Sequence, residues 1–233
     1  MLWKEWFLSE RGVWITAVSL TLIALLENSL LPWAPFYVVY ALLALALPLW
    51  LGSYRFGAIR AVKWWHWPAG IAAAVLFQLV GAIIFVGLVP LLFGDVLGNA
   101  FYDIGAALPA MWEAAATRLN SSPAAIQSAY LLFIFLWAGV GEELFYRGYV
   151  QGALRPLRGF RVAMLVSAVF FAVRHAVQLT LLWPDYPWIA AIAWVLFAFI
   201  FGVAMSYLYE RTKSLYLPVF IHILFNAIPL LAG

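Results

Sequence analysis

Polar positions are rare along this chain, and they punctuate long apolar runs instead of alternating with them. A helix that crosses a bilayer needs about 20 mostly apolar residues. Seven runs meet or approach that length, near residues 12–33, 36–52, 69–93, 130–154, 160–182, 188–208 and 215–232. The pattern predicts an all-α fold, a polytopic transmembrane helical bundle of about seven spanning helices, or eight if these boundaries hide a further crossing. The second and last runs are the shortest. Ahead of the first, "MLWKEWFLSE" alternates Trp3, Trp6 and Phe7 with charges, as an interfacial helix does. The first run is too long for a signal-peptide core and lacks a small-residue cleavage site, so it reads as a retained anchor. Two stretches are neither spans nor tight turns. Residues 53–68 are basic and aromatic and suit a helix on the inner surface. Residues 94–123 form a longer outer segment, with a short helix expected at 106–119.

Composition strengthens the membrane reading. The chain is 67% hydrophobic and only 10% charged, whereas a soluble domain has about half apolar and a quarter charged residues. With 233 residues there is room for a single membrane domain. The absence of cysteine excludes disulfides, thiol catalysis and cysteine-ligated zinc or iron–sulfur chemistry. A formal charge of +3 matters less than its placement. Lys4 and Arg11 precede the first run; Arg55, Arg60 and Lys63 follow the second. Arg155, Arg158 and Arg161 join the fourth and fifth, and Arg211 and Lys213 the last two. The opposite connections carry Asp95, Asp103, Glu113 and Asp185, with Arg118 alone as a base. Basic loops face the cytoplasm, which predicts a cytoplasmic N-terminus and an external C-terminus. Trp33, Trp64, Trp65, Trp67, Trp183 and Trp188 fall near run ends, where an aromatic belt is expected. Nothing suggests a nucleic-acid partner; the lipid bilayer is the evident one.

Ionisable residues inside apolar runs are costly and mark function by default. Here they are Glu27 in the first run, Glu142, Glu143 and Arg147 in the fourth, Arg174 and His175 in the fifth, and His222 with Asn226 in the seventh. Glu143 and Arg147 are four residues apart on a helix, so they share a face and can pair. Glu142 is rotated by roughly 100° from Glu143 and is free to face another neighbour. Phe171 and His175, and likewise His222 and Asn226, share helix faces at the same spacing. Counting about 1.5 Å per residue from the cytoplasmic ends puts Glu142, His175 and Asn226 at depths of roughly 16–22 Å and His222 at roughly 10 Å. Convergence near mid-membrane is the expectation. Glu27 is expected to pair with Arg174 or to hydrogen-bond across helices. The bland alternative is a buried ionic cluster without chemistry.

The ordered trio "EELFYR" (Glu142–Arg147), "FAVRH" (Phe171–His175) and "HILFN" (His222–Asn226) resembles the CPBP family of membrane proteases, which includes type II CAAX prenyl endopeptidases and bacterial Abi or bacteriocin-processing proteins. The resemblance covers roughly residues 124–232. It implies a single membrane domain with a catalytic core at 124–233 and peripheral N-terminal spans and outer segment at 12–123. It implies hydrolysis of a peptide bond in a membrane protein or lipid-anchored peptide. Glu142 and His175 would activate water, His222 and Asn226 would stabilise the oxyanion, and Glu143, Arg147 and Phe171 would support them. A metal-dependent version would use Glu142, His175 and His222 as zinc ligands. The metal-free version is favoured, because no HExxH motif is present and Asn226 is a natural oxyanion donor but an unusual zinc ligand. Missing HExxH, missing intramembrane aspartates and the lack of a GxSx context at Ser167 and Ser206 disfavour other intramembrane proteases. Two further classes stay open: a non-catalytic immunity or scaffold protein of the same family, and a proton-coupled transporter, for which no inverted repeat is visible. A prokaryotic inner membrane is the expected location.

Overall fold

A computed structural model describes residues 2–30, 38–52, 62–94, 112–133, 139–182 and 188–232. Every regular element among them is helical: α1 (Leu2–Leu8), α2 (Glu10–Leu30), α3 (Val38–Leu51), α4 (His66–Ala82), α5 (Val89–Phe93), α6 (Pro123–Phe133), α7 (Gly152–Leu182), α8 (Trp188–Thr212) and α9 (Tyr216–Ala232). A π-helical stretch, Ile83–Leu88, carries α4 into α5, and a second, Leu144–Gln151, leads into α7. Residues 112–118 add a short helix inside the outer segment, at the end of the one expected there; residues 106–111 lie outside the described set. So do Trp33, Arg55, Arg60, Asp95, Asp103, Trp183 and Asp185, on which part of the expected topology and aromatic belt depends.

The all-α expectation stands, but the number of spans does not. Among the described residues three helical runs are long and apolar enough to cross a membrane: His66–Phe93, Gly139–Ala176 and Ala191–Thr212. Three physical reasons account for the gap from seven. In α2 the uncharged stretch between Arg11 and Glu27 holds only 15 residues, short of the roughly 20 that a crossing requires. Helices α3 and α9, at 14 and 17 residues, are shorter apolar helices. The described parts of the runs at 130–154 and 160–182 meet at Gly159 with no loop between them and count together as one 38-residue stretch, Gly139–Ala176. That stretch bends at Gly159, whose φ of 77° is open to glycine at little cost, three residues after Pro156 has removed a backbone donor.

The buried face of α2 shows how the core forms. Val13, Ala17, Leu20 and Ala24 are buried at alternating spacings of four and three, one stripe of the helix, and Glu27 continues it. This stripe belongs to one core with Tyr40, Ala41 and Ala44 of α3, Phe145 and Tyr149 of the π-helical stretch and Phe170 and Phe171 of α7, a core that continues through Phe201 and Met205 of α8 to Ile221 of α9. Helix α9 approaches the start of the Gly139–Ala176 stretch closely at Gly139, where a Cβ would sit 2.1 Å from Ile223 Cγ1. By contrast α4 turns Ile71, Val75, Leu76 and Leu79 outward and meets the rest of the molecule through Gly70, Ala74 and Phe77. At one end, Arg158 pairs with Glu10 (2.9 Å) and Arg155 with Glu210 (2.7 Å), gathering the ends of α2, α7 and α8; Lys213 also reaches Glu210. Trp64 and Trp188 are exposed near helix starts, as belt residues should be.

Candidate active site

The expected i, i+4 pair forms. Arg147 Nη1 donates to Glu143 Oε1 at 2.9 Å, and both side chains are fully buried. Arg147 Nη2 donates to the Gly202 carbonyl of α8 (3.2 Å), and the guanidinium lies over the Phe171 ring at 4.6 Å. Charge pairing, a carbonyl and an aromatic face thus replace water around this arginine. The segment opens with Glu142 and Glu143 and continues π-helical from Leu144. Such wide turns are uncommon and frequently occur at functional sites. Every residue from Gly141 to Gln151 is buried, so this stretch is enclosed on all sides.

Glu142 faces other partners, as its rotation from Glu143 requires. Its Oε1 lies 3.4 Å from Arg174 Nε on α7, and its Oε2 lies 3.7 Å from His222 Nε2 on α9. The Arg174 guanidinium therefore takes up Glu142 and not Glu27. Glu27 instead accepts the backbone N–H groups of Val39 (2.9 Å) and Tyr40 (3.1 Å), closing the otherwise unpaired amino end of α3 with a carboxylate. The alternative of a cross-helix hydrogen bond is the one realised.

His222 joins the two glutamates. Its Nδ1 donates to Glu143 Oε1 at 2.8 Å, which turns Nε2 towards Glu142. The rings of Phe171 and Phe201 meet it edge-on, with centroids at 5.8 Å and 5.2 Å. His175 is set differently. Its Nδ1 donates to the Phe171 carbonyl one turn back (2.8 Å), and its ring lies 4.4 Å from that of Phe171. This bond leaves Nε2 as the nitrogen free to accept a proton. Asn226 follows His222 by one turn of α9 and is partly buried; none of the cluster's hydrogen bonds involves it among the described residues. The structure thus joins Glu142, Glu143, Arg147 and His222 directly, brings in His175 through Phe171, and leaves Asn226 at the edge.

Three contributors escape sequence reasoning. Helix spacing marks Arg174 as costly but does not choose Glu142 as its partner. Tyr40 and Tyr146, both fully buried, share a hydroxyl–hydroxyl bond of 2.7 Å, and the Arg174 guanidinium lies 5.5 Å from the Tyr40 ring. Tyrosines read as core or belt residues in an apolar run; only the position of Tyr146 inside the EELFYR segment hints at more.

The zinc alternative meets a geometric obstacle. Among the described residues no three His, Asp or Glu side chains converge as a metal shell. The bonds of His222 Nδ1 to Glu143 and of His175 Nδ1 to the Phe171 carbonyl leave each Nε2 available, as in a metal-bound histidine, so the obstacle is spacing alone. As arranged, Glu142, His175 and His222 do not fit the ion.

Comparison with known proteins bears on the same segment. Residues 124–228 match the family described as Rce1-like, "Type II CAAX prenyl endopeptidase Rce1-like". A Bacillus subtilis (strain 168) protein named "Putative membrane peptidase YdiL" is 29% identical over 85 residues, which are 36% of this chain and 29% of that protein. The chain therefore spans less than a third of the length of that curated relative. No solved structure matches the chain.

Proposed function

We infer, from the homology of residues 124–228 to the CPBP/Rce1-like membrane proteases, that this integral membrane protein is an intramembrane endopeptidase of the glutamate type. Its substrate is a membrane-anchored protein or lipid-anchored peptide, cut inside or beside the bilayer. The observation that carries this reading is the division of labour between adjacent glutamates. Glu143 is committed to Arg147 and His222, while Glu142 stands between Arg174 and His222 with one oxygen towards each.

In the proposed reaction Glu142, with His175 Nε2, takes a proton from a water molecule as its oxygen attacks the scissile carbonyl. The negative charge that develops on the carbonyl oxygen is held by the Asn226 amide and by Nε2–H of a doubly protonated His222. Glu143, bonded to His222 Nδ1–H, fixes the ring's direction and balances the charge of the doubly protonated ring. The proton then passes to the amide nitrogen as the C–N bond breaks, giving a carboxylate and an amine. Residues 124–233 make up the catalytic segment. The basic end marked by Arg155, Arg158 and Lys213 faces the cytoplasm of a bacterial cell, and the N-terminus lies on that side.

The test compares host membranes carrying the wild type or Glu142→Gln at matched expression, with new peptide termini mapped by mass spectrometry. Loss of a general base lowers turnover by roughly 10²–10⁴-fold, so termini near membrane edges are expected with wild type and absent with the variant. Identical terminus maps, with the variant still complementing the host, overturn the reading and leave an immunity or scaffold protein.

A further inference from the structure

Helix α9 holds two prolines, Pro218 and Pro229, and each removes a backbone donor. Pro218 lies in the first turn, where that donor has no partner within the helix to lose, whereas the N–H of residue 229 would bond the carbonyl of Phe225. That orphaned carbonyl finds a side chain. Gln78 Nε2 donates to Phe225 O across the α4–α9 seam. This bond joins residues separated by 147 positions on two different helices.

The neighbouring packing fixes this register. Gly70, Ala74 and Gln78 recur every fourth residue and so share one face of α4. A Cβ on Gly70 would meet Leu217 and Phe220 at 3.0–3.1 Å, and the ring of Trp67 packs edge-on to that of Phe220. Two turns further, the same face delivers Gln78 to Phe225. The carbonyl of Phe225 and the N–H of Asn226 belong to one peptide plane. Whatever holds that carbonyl also holds the backbone from which the Asn226 side chain projects.

We propose that Gln78 is a positioning residue for Asn226: its amide anchors the proline-freed Phe225 carbonyl and thereby aims the Asn226 side chain at the reacting carbonyl oxygen. This rests on the protease reading above. Gln78 lies outside residues 124–228, so the anchoring comes from a helix beyond the segment that matches the family. Helix α4 is then part of the catalytic device and not a lipid-facing support alone.

The bond can be made dispensable. Pro229→Ala returns an N–H to residue 229 and gives Phe225 O an intrahelical donor. Gln78→Leu removes the amide, and Gln78→Met repeats the test should the leucine variant not purify. Two readouts serve, both on full-length protein at temperatures where melting curves show every variant folded. The chain has four asparagines, Asn28, Asn99, Asn120 and Asn226, so ¹⁵N-Asn labelling yields side-chain amide signals assignable through Asn226→Asp. The other readout is steady-state cleavage of a substrate identified by terminus mapping.

Gln78→Leu is expected to move the Asn226 amide signal and to lower kcat on the order of tenfold with KM little changed. Adding Pro229→Ala should restore both. An unmoved Asn226 signal, or a normal kcat in Gln78→Leu beside an active wild type, overturns the proposal. A signal that moves and is restored while the wild type cleaves nothing overturns the protease reading instead, and reduces the Gln78 bond to a helix–helix contact.

Discussion

The two halves of the described chain handle polarity in opposite ways. From residue 139 onwards, nine charged or polar side chains are buried, and most bond to one another within that half. Between residues 2 and 94 only Thr16 and Glu27 are. The first half is therefore the apolar partner, and two of its polar side chains reach across to the second: Tyr40 to Tyr146, and Gln78 to the Phe225 carbonyl. A membrane protein gains little from apolar burial between helices, because lipid is as apolar as leucine. Cross-helix polar bonds of this kind are what can hold one half in register with the other.

The sharpest way to break the contrast is at Arg147. Its guanidinium is fully buried, paired with Glu143 and bonded to Gly202 O. Arg147→Ala leaves Glu143 charged in a dry interior with only His222 beside it, and removing one member of a buried pair costs about 3–5 kcal/mol. Thermal unfolding in detergent should show a larger drop than any substitution at Glu27, Tyr40 or Tyr146, with no folded, inactive population. Arg147→Lys should recover only part of it, since an ammonium cannot reach Glu143 and the carbonyl in one fork. A near-normal melting temperature for Arg147→Ala would show that the second half does not depend on its own ion pairs.

Next comes Glu27, the residue through which the first half orders itself. Glu27→Ala deprives the Val39 and Tyr40 N–H groups of their acceptor, at a cost of about 1–3 kcal/mol. Glu27→Gln keeps one amide oxygen in place and should cost less. Because the cap sits at Tyr40, hydrogen exchange should rise first in α3 and leave α8 unchanged. Equal exchange across both halves would deny that α3 is tied down locally.

These expectations separate what can be read from sequence and what cannot. The Glu143–Arg147 pair is legible because helix spacing alone decides it. The isolation of Glu142 from Arg147 is legible for the same reason. Its actual partners, Arg174 and His222, are not, since they arrive from helices 32 and 80 positions further on and only packing chooses among candidates. Counting residues places His222 shallower than Glu142, yet the two lie 3.7 Å apart, and spacing cannot foresee that His175 is tied to Phe171 O. The seven-span expectation fails because apolar content alone does not weigh the charges at the ends of α2, the shortness of α3 and α9, or the continuity of Gly139–Ala176. Tyr40 and Gln78 are silent in the sequence, being isolated polar groups on side chains whose bulk suits an apolar run.

Tyr40→Phe asks the gentlest question of the comparison, and a cycle with Tyr146→Phe makes the answer readable. The substitution deletes one buried hydroxyl and keeps the ring beneath the Arg174 guanidinium. A single neutral hydrogen bond contributes about 0.5–1.5 kcal/mol. Each single variant breaks the hydroxyl–hydroxyl bond and leaves one of the two buried hydroxyls behind, whereas the double variant removes both and leaves ring on ring. The double variant should therefore cost less than the two singles added together, the signature of a direct bond between the halves. Additive costs would mean that the two hydroxyls do not depend on each other, and that their bond does not tie α3 to the second half. Activity should fall in step with coupling and not with total stability, because what the bond steadies is the Arg174 side chain that faces Glu142 Oε1.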